Sequence, residues 1–153
     1  MAFSTKPGDG GTASQSAHTI TLSAGQAILE AARAKATEID VPMNIAVVDE
    51  GGNLVAFVRM DGAWLGSIDI AQNKAYTARA FNMATRDLAP LAQPGGSLYG
   101  IEASNHGRLI VFAGGIPLVS GSRTVGAVGV SGGAVEQDQA VAEAGAAAFE
   151  EAA

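Results

Sequence analysis

The chain of 153 residues has no cysteine. That excludes disulfides, thiolate metal centres and cysteine nucleophiles together. It has two histidines, His18 and His106, too few for a multi-histidine metal site within one chain. Aromatic residues make up 5% of the sequence and charged residues 16%, against 48% hydrophobic residues. So low a charge fraction leaves little polar surface for a monomer. Part of the apolar surface is therefore expected to be covered by further copies, giving a homo-oligomer. The net charge of −6 argues against a nucleic-acid partner, because phosphate binding needs clustered Lys and Arg. No apolar run reaches the roughly 18 residues of a membrane span, so no membrane association is expected. Residues 1–17 hold one Lys and no apolar stretch, unlike a secretory signal. The expected location is cytoplasmic.

Glycine is plentiful, with 20 residues, and the last third concentrates it in Gly114-Gly115 and in Gly126-Ala127-Val128-Gly129-Val130-Ser131-Gly132-Gly133. Glycine weakens a strand unless backbone must approach something closely or take a positive φ. Along the chain, residues 1–17 read as a disordered tail and 18–153 as a single domain. Ser23 is the expected cap of a helix over 24–39. Strands are expected over 43–49 and 54–60, joined in a hairpin by Glu50-Gly51-Gly52-Asn53. A second helix follows Ser67 to about Asn82, with Ile68, Ala71, Ala75, Ala78 and Phe81 inward. Residues 83–108 are irregular, apart from a helical turn begun by Thr85. Leu109–Phe112, Pro117–Ser120 and Thr124–Val130 read as three more strands, and 134–152 as a last helix of strong helix formers. Five strands linked largely by hairpins predict an α+β fold: a profilin-like three-layer α/β/α sandwich around a five-stranded antiparallel sheet.

Several residues could carry chemistry. Gly129-Val130-Ser131-Gly132-Gly133 matches the pattern of a serine nucleophile elbow, but both histidines precede Ser131 and the parallel sheet is missing. The same residues also read as a strand-to-helix turn with Ser131 near the cap, or as an anion site built from free N–H groups at a helix start. His106, in a polar loop, reads as an iron ligand or proton shuttle, or as an exposed loop residue. Lys74 has small neighbours on a helix; buried, it would need an anion beside it, and exposed, it would snorkel. Arg59, Asp61 and Trp64 could line a pocket mouth or form a structural pair. Asp49 reads chiefly as a turn residue. Glu136, Asp138 and Glu143 read as a solvated helix face.

Five segments in this order resemble the GlcG/HbpS-like haem-binding family, which includes the C-terminal domain of PduO-type corrinoid adenosyltransferases. They are Ile45–Gly52, Arg59–Ala63, Asn73–Ala78, Gly114–Leu118 and Val125–Gly133, with Gln137-Asp138 following. The resemblance spans about residues 20–150. It implies a profilin-like fold, homo-oligomeric assembly and, for several members, haem or tetrapyrrole binding. Two function classes follow. The first is a haem-binding oligomeric accessory protein, with the haem held non-covalently. Its axial ligand would be His106, Tyr76, Tyr99, a Met or an oxygen ligand, and its propionates would meet Lys74, Arg59 or Arg79. The second is a cofactor-independent isomerase, tautomerase or lyase acting on a small organic acid in a catabolic pathway. There Lys74 or Arg59 would hold the carboxylate and N–H groups near Gly114-Gly115 or Gly132-Gly133 would stabilise an enolate. His106, Asp49 or Glu102 would move the proton. A structural accessory with no small ligand is a third possibility.

Overall fold

A computed structural model describes residues 19–152. The expected tail, 1–17, and His18 lie outside the described residues. Helix α1 spans Leu22–Glu38 and is capped by Thr21 rather than Ser23: the Thr21 hydroxyl accepts from the Ala24 N–H. Strands β1 (Asn44–Asp49) and β2 (Leu54–Arg59) form the expected hairpin. Helix α2 covers Gly66–Phe81 and stops at Asn82, whose φ is 50°. The short helix α3 (Thr85–Leu88) runs into a 3-10 turn over Ala89–Ala92, and further 3-10 turns occupy Ile101–Ala103 and Asn105–Gly107. Strands β3 (Gly115–Ser120) and β4 (Arg123–Ser131) precede the last helix, α4 (Val135–Ala152).

Among the described residues the sheet has four strands, all antiparallel, in the order β2-β1-β4-β3, and not five. The expected strand over Leu109–Phe112 does not form. Its apolar character serves burial of Leu109, while the Ile110 N–H goes to the Thr77 hydroxyl on α2, 3.0 Å away, and not to a neighbouring strand. A helix side chain thus takes the place of a ladder partner.

Strand alternation sorts the core into two layers. Ile45 and Val47 of β1 and Val128 and Val130 of β4 face α1 and α4, packing with Ile28, Leu29, Ala32, Val141 and Ala142. Ala46, Val48 and Ala127 face the other way, onto Ala71, Ala75 and Ala78 of α2. The second layer is thin for a specific reason. Ala46, Gly129 and Gly115 lie side by side across β1, β4 and β3. A Cβ on Gly129 would run into the backbone of Ala71 and Ala75, and one on Gly115 into the Lys74 carbonyl at 2.5 Å. These glycines let the helix backbone rest on the strands. Ile68 is half-buried on α2, and Phe81, expected inward, is 39% exposed.

Candidate functional site

Close seating of α2 carries Lys74 into the protein interior. Its side chain is wholly buried, and its Nζ donates to Asp138 Oδ2 at 2.8 Å and to the Val130 carbonyl at 2.9 Å. The Phe112 ring covers the ammonium, its centroid 4.7 Å away. Gly114 leaves the room, since a Cβ there would stand 2.8 Å from Nζ. Burial pushes the Lys74 pKa below its ordinary 10.5, and the neighbouring carboxylate opposes that only in part. Asp138, expected on a solvated face, is 2% exposed. Its second oxygen, Oδ1, accepts from the N–H groups of Gly132 and Gly133 at 3.1 and 2.9 Å. One residue therefore neutralises Lys74 and closes the turn that starts α4.

This arrangement occupies the backbone donors that the sequence left open. Besides Gly132 and Gly133, the Ala134 N–H is taken by Gln137 Oε1. The Gly114 N–H donates to Gln139 Oε1 at 3.1 Å, and that of Gly115 to the Thr85 hydroxyl at 2.8 Å. Ser131 is buried and donates to Ser67 Oγ at 3.1 Å, so the strand-to-helix turn presents no free hydroxyl. Asp49 Oδ1 accepts from the Gly51 and Asn53 N–H groups, both at 2.9 Å, as a hairpin-turn residue does. Arg59 is exposed and donates to the Ala63 carbonyl at 3.3 Å. Arg79 is half-buried; its Nη1 donates to Asn82, and its Nε is buried without a partner among the described residues. Glu102 is exposed in a 3-10 turn. Of these residues, Gly132 and Gly133 line one cleft and Arg59 lines another.

A second constellation gathers at the loop carrying His106. Asn105, His106 and Gly107 are three successive residues with positive φ, at 52°, 57° and 72°. The left-handed region costs a non-glycine residue about 1–2 kcal/mol, so the turn needs outside support. Tyr76 of α2 supplies it, its hydroxyl donating to Asn105 Oδ1 at 2.9 Å. The Arg108 guanidinium lies over the Tyr76 ring, 3.6 Å from its centroid. Gly52, in the hairpin turn, touches the same ring closely enough that a Cβ would come within 3.2 Å. Thr77 holds the exit of the turn by accepting from the Ile110 N–H. His106 itself is exposed and has no hydrogen-bond partner among the described residues. Leu98 and Tyr99, on the same loop, are 37% and 66% exposed. Neither Asn105 nor Arg108 stood out in the sequence; the Asn-x-Gly spacing, which favours left-handed backbone, was the one available signal.

A separate cleft of about 470 Å³ opens at the start of α4, lined by Val41, Pro42, Trp64, Gly132, Gly133 and Gln137, among others. Trp64 and the adjacent Leu65 are 65% and 73% exposed. Among the described residues no group of three or more His, Asp or Glu is placed to hold a metal ion, and no helix is long and apolar enough to cross a membrane.

Among the described residues, the layers, the antiparallel sheet and the four helices define an α+β sandwich with the Lys74–Asp138 pair in its interior. The chain belongs to the family described as haem degrading protein HbpS-like, whose model matches residues 20–147. It is 48% identical to a 15.0 kDa protein of Citrobacter freundii encoded between dhaT and dhaS, over 85% of this chain and 92% of that protein. The crystal structure of Klebsiella pneumoniae protein ORFY superposes with a TM-score of 0.86 at 45% identity, over 91% of this chain and 96% of that one. The crystal structure of the PduOC–haem complex superposes with a TM-score of 0.82 at 35% identity, over 85% and 94%.

Proposed function

We propose that residues 18–153 form one domain that binds haem non-covalently and acts as a homo-oligomeric accessory protein, with His106 as the iron ligand. The single observation that carries the ligand assignment is the presentation of His106: an exposed imidazole, without a partner among the described residues, on a backbone held in an unfavourable conformation. Strain that the surroundings enforce is characteristic of functional positions. The donor set fits the group. His106 offers an imidazole nitrogen, Arg108 a guanidinium for a propionate, and Leu98 and Tyr99 apolar contact for the macrocycle. Bound haem supplies an iron centre for ligand binding or electron exchange. Lys74 is sealed against Asp138 and serves the fold in this reading. The haem complex of PduOC, a relative at 35% identity, supports the choice of ligand. Exposed Trp64, Leu65 and Tyr99 supply apolar surface for contacts between copies.

Haemin titration followed by absorbance, with the mass from size-exclusion chromatography in parallel, tests this reading. The expected result is a saturable Soret shift at one haem per one or two chains, in an oligomer, abolished by His106→Ala. Non-saturating binding overturns haem as the ligand. Loss of the shift in His18→Ala, with His106→Ala unaffected, moves the iron ligand to the other histidine.

A further inference from the structure

We infer that Tyr76 is a positioning residue: its hydroxyl holds the left-handed turn Asn105-His106-Gly107 and thereby sets the outward orientation of His106 toward haem. The inference rests on the proposed role of His106 and adds to it the device that prepares the ligand. Two non-glycine residues in succession do not stay left-handed unaided. The turn is tied internally by the Gly107 N–H to the Ser104 carbonyl at 3.0 Å and the Arg108 N–H to the Asn105 carbonyl at 3.1 Å. Asn105 Nδ2 also donates to Ser104 Oγ at 3.1 Å. All three bonds lie within the loop. Among the described residues, the Tyr76 hydroxyl bond to Asn105 is the polar tie that joins residues 105–107 to the rigid helix.

Tyr76 is in turn held from two directions. Arg108 stacks on its ring, and Gly52 of the β1–β2 hairpin lies against the ring edge. The hairpin turn is itself secured by Asp49. A contiguous series of contacts therefore runs from Asp49 and Gly52 through Tyr76 and Asn105 to His106. Tyr76, a candidate iron ligand on sequence alone, has its hydroxyl committed to Asn105 in this arrangement. A rigid imidazole loses less freedom on ligation than one on a loose loop.

The test is Tyr76→Phe, which removes one oxygen and keeps the ring for Arg108 and Gly52. In the haem-free protein, amide exchange at Gly107 and Arg108 is expected to rise about tenfold, while exchange in β1 and β4 is unchanged. Haemin affinity is expected to fall about fivefold to tenfold with stoichiometry intact. Asn105→Gly in the Tyr76→Phe background is expected to restore most of the affinity, because glycine takes the left-handed region without support. Unchanged exchange at Gly107 and Arg108 overturns the inference. Raised exchange with unchanged haemin affinity also overturns it, and His106→Ala then separates the two readings. If that variant also binds haemin normally, the ligand assignment has failed; if it binds weakly, only the role of Tyr76 has.

Discussion

Removal of the Lys74 charge is the sharpest test of how the interior is organised. Lys74→Met keeps the aliphatic stem and leaves Asp138, 2% exposed, with Oδ2 unpaired. Breaking a buried ion pair from one side costs about 3–5 kcal/mol, because the remaining charge stays desolvated. Here Oδ1 still receives the Gly132 and Gly133 N–H groups, so the lower end, about 3 kcal/mol, is expected. That is a large share of the roughly 5–15 kcal/mol that stabilises a domain. Adding Asp138→Asn removes the stranded charge but keeps an acceptor for the two glycines. The double variant should therefore be more stable than Lys74→Met alone by about 1–2 kcal/mol. Urea unfolding followed by far-ultraviolet circular dichroism at one protein concentration reads both numbers. A Lys74→Met variant within about 1 kcal/mol of wild type, or a double variant equal to the sum of the singles, refutes the buried-pair account. The pH dependence gives an independent check. Burial lowers the Lys74 pKa in the fold below 10.5, so between the two values the unfolded chain holds the proton more tightly. Stability contributed by this group is fully present above 10.5 and is lost as pH falls through the lowered value. In Lys74→Met that part of the alkaline slope should vanish.

Three further outcomes are expected. Gly129→Ala should cost about 3 kcal/mol or more in thermal unfolding, since its Cβ would meet the backbone of α2 and not a flexible side chain. Asp49→Ala should lower stability by about 1 kcal/mol through loss of the hairpin-turn bonds. It should leave haemin stoichiometry unchanged in the same titration. Ser131→Ala should cost about 1 kcal/mol through loss of the Ser67 bond, without changing haemin affinity; a large loss of binding would return Ser131 to the candidate ligand-binding set.

What was legible in the sequence was local. The β1–β2 hairpin followed from two apolar runs around Glu50-Gly51-Gly52-Asn53, and the alanine spacing of α2 marked its inner face correctly at Ala71, Ala75 and Ala78. The concentration of glycines announced a close backbone approach, which Gly115 and Gly129 make to α2. Leu109–Phe112 misled because an apolar run satisfies burial equally well in a strand or a coil; only the tertiary bond from Ile110 to Thr77 distinguishes them. Lys74 was recognisable as a cation needing an anion if buried. Its partner was not recognisable, since Asp138 lies 64 positions away and its helical surroundings read as solvated. The His106 turn depends on Tyr76, 29 positions from Asn105, which no local pattern relates to it.

The glycine and alanine bed beneath α2 also bears on how the helix is indexed. Helices ordinarily mesh, ridge into groove, and that meshing settles where one element stops along another. A helix lying on Ala46, Gly129 and Gly115 meets an almost smooth track. Axial placement then falls to the side chains that leave this face as pegs: Lys74, pinned at Asp138 and Val130, and Thr77, pinned at Ile110. Tyr76 lies between those two pegs in the chain, so the precision with which it meets Asn105 is inherited from a salt bridge on another side of the helix.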